Sequence, residues 1–198
     1  MQPTRRAFLA AGVMGTGLAL PGGSSGAPAQ DALAQALLRQ GGVVAVFRHA
    51  LAPGTLDPPG FRLGDCSTQR NLSDEGRTQA RRIGAWFRER QLQPDRLLSS
   101  PWCRCMESAT LAFGTPQAWS ALGSPRGASE TTGAVHLREL RSALVAASAR
   151  TGGFEVWFTH MFVQSDLAND STRSGEALLL RAQGGGLPEV LARLSVTA

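Results

Sequence analysis

Residues 43–54 read VVAVFRHALAPG. Five apolar residues run into an Arg-His pair, and a loop containing Pro53 and Gly54 follows. A short apolar run bounded by turn residues is the pattern of a buried strand. A strand that ends on Arg48 and His49 has two readings, a surface turn or the floor of a site. Two other segments bear on the choice. Arg96–Ser99 reads as a strand, and Ser100-Pro101 then starts a helix, with Ser as the cap and Pro at the first helical position. That helix carries Trp102, Cys103, Arg104 and Cys105 in its first turns. Phe154–Phe158 reads as a further strand, and Thr159-His160 follows it directly. In open α/β sheets, ligands bind outside the carboxyl ends of the strands. Arg48, His49, Arg104 and His160 are therefore expected in one crevice. Guanidinium groups, imidazoles and a helix N-terminus suit an anion, and phosphate best, because a planar guanidinium binds its oxygens in bidentate fashion.

Outward from these strands the same alternation continues. Residues 31–40 have a helical period, with Asp31 at the start and Gly41-Gly42 as the stop. Residues 51–71 form a long loop, and a loop of that length inside a domain is usually functional. Ser73-Asp74-Glu75 opens a helix that runs to about Gln91 and gathers Ala80, Ile83, Trp86 and Phe87 on one face. Residues 114–133 read mostly as loop around a short strand near Trp119, and 137–150 as helix. Leu178–Arg181 is a late strand and 187–194 a final helix. Alternating strands and helices predict an α/β three-layer sandwich, a largely parallel central sheet flanked by helices.

The chain has 198 residues, 42% hydrophobic and 18% charged, which suits one domain with a full core and a short extra segment. All 20 basic residues are Arg, which explains a pI near 10.7 at a net charge of only +5. Nucleic-acid binding would need clustered basic residues with interleaved aromatics, and the arginines here are spread along the chain. The first residues form an address. TRRAFLAAGVMGTGLAL (4–20) resembles a twin-arginine export signal around Arg5-Arg6, and its apolar run is too short for a stable anchor. Ala27-Pro28-Ala29 offers the small-x-small pattern of a signal peptidase site. The expected organisation is a signal peptide over 1–29, cleaved after Ala29, and a single domain over 30–198. The expected location is the periplasm, reached through transient contact with the translocase and with no stable membrane insertion after cleavage. An oxidising compartment permits a disulfide. Cys103 and Cys105 are poorly placed to pair with each other on a helix, so Cys66 is expected to pair with one of them. Their spacing fits no usual zinc pattern.

Four motifs resemble the histidine phosphatase (phosphoglycerate-mutase-like) superfamily. Its Arg-His-Gly appears as Arg48-His49-Ala50, and its Leu-[Ser/Thr]-x-x-Gly-x-x-Gln-Ala as Leu72 to Ala80. Its Ser-Ser-Pro-x-x-Arg-x-x-x-[Ser/Thr]-Ala appears as Ser99 to Ala109, and its Thr-His as Thr159-His160. The match spans roughly residues 33–182. The segment from Gly64 to Asn71, with the export signal, resembles the Ais-like branch, thought to act on phosphorylated lipopolysaccharide-core heptose. The residues after His160 depart from that branch, whose Thr-His-Gln-Val-Asn-Ile is here Thr159-His160-Met161-Phe162-Val163-Gln164.

The resemblance implies a metal-independent phosphomonoesterase, with no cofactor. His49 would attack phosphorus, and Arg48, Arg104 and His160 would hold the phosphoryl oxygens. Arg70 would add a substrate contact. Glu139 is the candidate acid, and Asp57 and Asp65 in the long loop are the other carboxylates within range. His136 reads as a loop or surface histidine. Two alternatives remain: a non-catalytic phosphoglycan-binding protein of the same fold, and a phosphohistidine-protein phosphatase. A mutase is disfavoured, because a glycolytic substrate would not be waiting outside the cytoplasm.

Overall fold

The computed structural model describes residues 27–126 and 129–196. The twin-arginine segment lies outside the described residues. Its expected cleavage position after Ala29 falls in the first turn of helix α1 (Ala27–Gln40).

The strand that opened the reading, β1 (Val43–Arg48), is fully buried along its five apolar residues and occupies the middle of the sheet. It pairs in parallel with β4 (Phe154–Thr159), placing Arg48 beside Thr159. β4 pairs in parallel with β2 (Arg96–Ser99), and β2 with the two-residue β3 (Gln117–Ala118). On its other side β1 meets β5 (Ala177–Arg181), which runs antiparallel and carries the edge strand β6 (Glu189–Leu194). The order is β3-β2-β4-β1-β5-β6, a mostly parallel six-stranded sheet.

Strand periodicity divides the core in two. Val43, Ala45 and Phe47 face α1, α2 (Asp74–Glu89) and α3 (Cys103–Phe113). Val44 and Val46 face α4 (Glu130–Ser148) and α5 (Met161–Ala168). The result is the expected three-layer sandwich. Beneath the site, Phe47 and Phe158 stack with ring centroids 5.1 Å apart, and cutting Phe47 back to Ala would cost about 3–5 kcal/mol.

Helix α2 follows its local signals. The Ser73 hydroxyl accepts from the Gly76 N–H at 3.1 Å, and Ala80, Ile83, Trp86 and Phe87 are buried. Gly76 is required by proximity, since a Cβ there would stand 2.0 Å from the Leu51 carbonyl oxygen. That contact presses the loop after β1 against the start of α2.

Several expectations are corrected. The segment expected as a final helix, 187–194, is the strand β6. Only six residues follow Pro188 in the element, and so short a piece gains little as an isolated helix. The open edge of β5 offers it backbone partners, with Ala177 opposite Leu194 and Arg181 opposite Glu189. Helix α1 begins at Ala27 rather than Asp31, whose carboxylate instead accepts from the Trp86 indole and from Arg90, pinning α1 to the end of α2. Helix α4 starts at Glu130, seven residues before the expected 137, because Ser129 caps it through the Thr132 N–H. Helix α3 starts at Cys103, not at Pro101. Helix α5, directly after His160, was not foreseen.

Candidate active site

The carboxyl ends of β1, β2 and β4 open into a cavity of about 480 Å³. Arg48, His49, Arg70, Arg104 and His160 line it, as does Asp57, the sole carboxylate among the described lining residues.

His49 is fixed from both sides. Its backbone N–H donates to the Thr159 carbonyl at 2.9 Å, which carries the β1–β4 ladder one step past the strand. Its Nδ1 lies 2.8 Å from the Ala50 carbonyl. A carbonyl only accepts, so Nδ1 carries the proton and Nε2 keeps its lone pair. The Arg70 Nη2 approaches that Nε2 at 3.5 Å. Ala50 is held in turn by Ser108, whose hydroxyl accepts from the Ala50 N–H at 2.9 Å and donates to the Arg104 carbonyl at 2.6 Å. The imidazole is 2% exposed. Burial first, and then the fields of Arg104, Arg70 and Arg48, push its pKa from 6.5 down to about 3, outweighing the Ala50 hydrogen bond. At neutral pH the ring is uncharged and nucleophilic.

His160 sits at the end of β4 with its ring centroid 5.6 Å from that of His49. Arg104 Nη2 lies 3.3 Å from its Nδ1 and Ser100 Oγ 2.9 Å from its Nε2. A guanidinium only donates, so Nδ1 accepts and Nε2–H donates to Ser100. Burial, then Arg104, holds this imidazole well below the usual range. The same bond explains the late start of α3. Ser100 Oγ is shared between His160 and the Trp102 N–H at 3.3 Å, and the first helical N–H, that of Cys103, is taken by Gln69 Oε1 at 3.0 Å.

Three arginines complete the floor. Arg104 is buried and donates through Nη1 to Asp57 Oδ1 at 2.8 Å. Arg70 donates to the Ala52 and Gly54 carbonyls at 2.6 and 2.9 Å, and Arg48 to the Thr172 carbonyl at 3.2 Å. Burial, then the field of Arg104, lowers the pKa of both Arg48 and Arg70. Among the described residues, three buried side-chain N or O atoms have no hydrogen-bond partner, and they are the Nε of Arg48, Arg70 and Arg104. All three guanidinium groups line the one cavity, and their clustered positive charge suits an acceptor with several oxygens. On the floor three guanidinium groups against one carboxylate leave a surplus of two positive charges, which suits a dianion, and Arg126 adds a fourth guanidinium at the mouth.

The loop over 51–71 forms the roof. Cys66 is disulfide-bonded to Cys103, while Cys105 stays buried and free beside His160, with Sγ 3.6 Å from Nε2. Two residues apart on a helix, the two side chains point different ways, which resolves the open choice of partner. Burial pushes the Cys105 thiol up to about 12.

The structure thus brings together Arg48, His49, Arg70, Arg104 and His160. It does not bring Glu139, which lies exposed on α4 and outside the cavity, because Leu140 and Leu144 take the buried face of that helix. Asp65 is also turned away, capping a 3-10 turn over Cys66–Thr68 and bonded to Arg62. His136 is half-buried on α4. Sequence reasoning missed Ser100, Trp102 and the mouth of the cavity, where the Arg126 guanidinium lies 4.3 Å over the Phe162 ring. The Ser-Ser-Pro run pointed to Ser100. Nothing local pointed to Arg126.

A neutral imidazole among guanidinium groups, at the carboxyl ends of a mostly parallel sheet, makes a cavity suited to an oxyanion. The family described as histidine phosphatase superfamily (branch 1) matches residues 45–121 of this chain. Solved structures agree on the fold. The protein histidine phosphatase SixA, complexed with tungstate, is similar at 19% identity and TM-score 0.52, over 77% of this chain and 96% of that one. The open reading frame Rv3214 product of Mycobacterium tuberculosis gives 14% and 0.54, over 75% and 94%. A phosphoserine phosphatase variant from Entamoeba histolytica, in complex with phosphoserine, gives 12% and 0.54, over 78% and 97%. No curated protein matches the sequence.

Proposed function

We propose that this chain is an exported phosphomonoesterase that works through a phosphohistidine on His49. The observation that carries the reading is one cavity lined by three guanidinium groups and an uncharged imidazole whose Nε2 keeps its lone pair. A bound phosphoryl group would satisfy the arginines. His49 Nε2 would attack phosphorus in line and take the phosphoryl group, and water would then release it. Charge redistributing over the phosphoryl oxygens would meet donors already in place, the usual main source of catalysis in this chemistry. His160, tied to Arg104, would set the orientation of that guanidinium and contribute its own dipole. The positive charge would come from the arginines, with no metal taking part. The Tat-type signal and cleavage after Ala29 belong to the same reading, as does a phosphosugar substrate such as lipopolysaccharide-core heptose phosphate. The Gly64–Asn71 resemblance supports that substrate.

The test is hydrolysis of para-nitrophenyl phosphate and a panel of phosphosugars by the mature protein in chelator, with His49→Ala as control. Turnover with a trapped phospho-adduct on His49 is expected. Tight phosphate binding without turnover would support a phosphoglycan-binding protein instead. The exposed position of Glu139 favours one second reading, hydrolysis of a substrate whose leaving group departs readily, such as a phosphohistidine protein. Preference for such a protein over every sugar phosphate would select it. N-terminal sequencing of exported protein checks the cleavage.

A further inference from the structure

With Glu139 remote, the cavity still holds one carboxylate. We infer that Asp57 is the general acid and base of the transfer, an inference that rests on the phosphomonoesterase reading above. In the free protein three donors surround this carboxylate. Arg104 Nη1 lies 2.8 Å and the Arg70 backbone N–H 3.0 Å from Oδ1, and the Trp102 indole N–H lies 3.2 Å from Oδ2. The side chain is only 10% exposed, yet its neighbour Leu56 is 62% exposed and also lines the cavity. Asp57 therefore lines the same cavity as His49, beside a residue open to solvent.

The arrangement couples binding to proton transfer. A phosphate dianion competes with Asp57 for Arg104, because both are oxygen anions and the guanidinium is the strongest donor either can reach. When the substrate takes that donor, Asp57 loses its positive partner and gains a negative neighbour. Asp57 is then the carboxyl group beside the bound ester, able to pass a proton from solvent to the leaving oxygen. The charged and titratable groups around it are Arg104 and the buried Cys105 thiol of α3, Arg70 of its own loop, His49 and Arg48 at the end of β1, His160 at the end of β4, and Arg126 at the mouth.

Atoms and charges then balance over two half-reactions. The His49 Nε2 lone pair forms the P–N bond. The P–O ester bond breaks, and its electron pair stays on the leaving oxygen, which takes the Asp57 proton and departs as the alcohol. Water next gives a proton to the Asp57 carboxylate and its oxygen to phosphorus. The P–N electrons return to His49 and inorganic phosphate leaves.

The test is the leaving-group dependence of the full-length protein and of Asp57→Asn, which keeps an acceptor for the Trp102 and Arg70 N–H groups. The substrates are para-nitrophenyl, phenyl and ethyl phosphate. In Asp57→Asn the loss in kcat/KM is expected to grow with leaving-group basicity, from about tenfold on the first to about 10³-fold on the last. An equal loss on all three, or none, overturns the inference and leaves the phosphatase reading standing. If the variant misfolds, the wild type decides. Loss of a protonated acid at high pH must cut kcat for ethyl phosphate more steeply than for para-nitrophenyl phosphate, and parallel basic limbs overturn the proposal. A wild type that hydrolyses none of the esters sinks the phosphatase reading and this inference together.

Discussion

Neighbouring parallel strands β1 and β4 each end on a histidine, and the two ends treat their imidazoles oppositely. At the end of β1, one ring nitrogen is fixed by a carbonyl and the other faces the cavity, with the Arg70 guanidinium at 3.5 Å its nearest polar partner. At the end of β4, both nitrogens are engaged, one by a guanidinium and one by a hydroxyl. On the proposed mechanism the first arrangement serves the nucleophile and the second a brace. The same residue type at the same place in the same kind of strand has different chemistry because of what the second nitrogen meets.

The largest expected effect tests that contrast directly. His49→Ala should lower turnover about 10⁴-fold or more, with no phospho-adduct in a rapid-quench experiment. His160→Ala should cost about 10²–10³-fold while the adduct still forms, because it removes orientation rather than the attacking atom. Equal losses with no adduct in either variant would erase the distinction. Next comes the support on the β2–α3 side. Cys66→Ser releases a 37-residue separation and should cost about 3 kcal/mol in urea unfolding, with a rise in KM as Arg70 and Gln69 lose their anchor.

The pH response is smaller and follows from burial. Unfolded, His49 takes a proton near 6.5, and folded only near about 3. Between those values the unfolded chain binds more protons, so stability is full above 6.5 and falls as the pH drops toward 3. Tm measured from pH 7 to 4 should therefore decline less in His49→Asn than in the wild type. Activity should persist well below pH 6, since the nucleophile stays unprotonated there. The smallest effect is at the expected acid. Glu139→Gln should change kcat/KM by no more than about twofold, as for an exposed surface site.

What was legible in the sequence was what is decided locally. The apolar run of β1, the Ser73 cap and apolar face of α2, and the strand-end placement of Arg48, His49, Arg104 and His160 all follow from neighbours in the chain. What failed was decided across the fold. Ser100 has every local mark of a helix cap, but His160, 60 residues away, shares its hydroxyl. Residues 189–194 become strand only because β5 leaves an edge open. Glu139 lay in the right sequence interval for an acid, and two leucines next to it turned it outward. Asp57 was noticed as a carboxylate within range, but its place between Arg104 and Trp102 depends on a loop path that no periodicity encodes.

The Cys66–Cys103 link divides the 51–71 segment into unequal halves. From Cys66 onward the chain is riveted to the start of α3, by the disulfide and by Gln69 on the Cys103 amide. The stretch before it is fastened to that riveted half, the Ala52 and Gly54 carbonyls by the Arg70 guanidinium and Asp57 by the Arg70 N–H. Reducing the disulfide would therefore unfasten both halves of the roof together, and Asp57 with them.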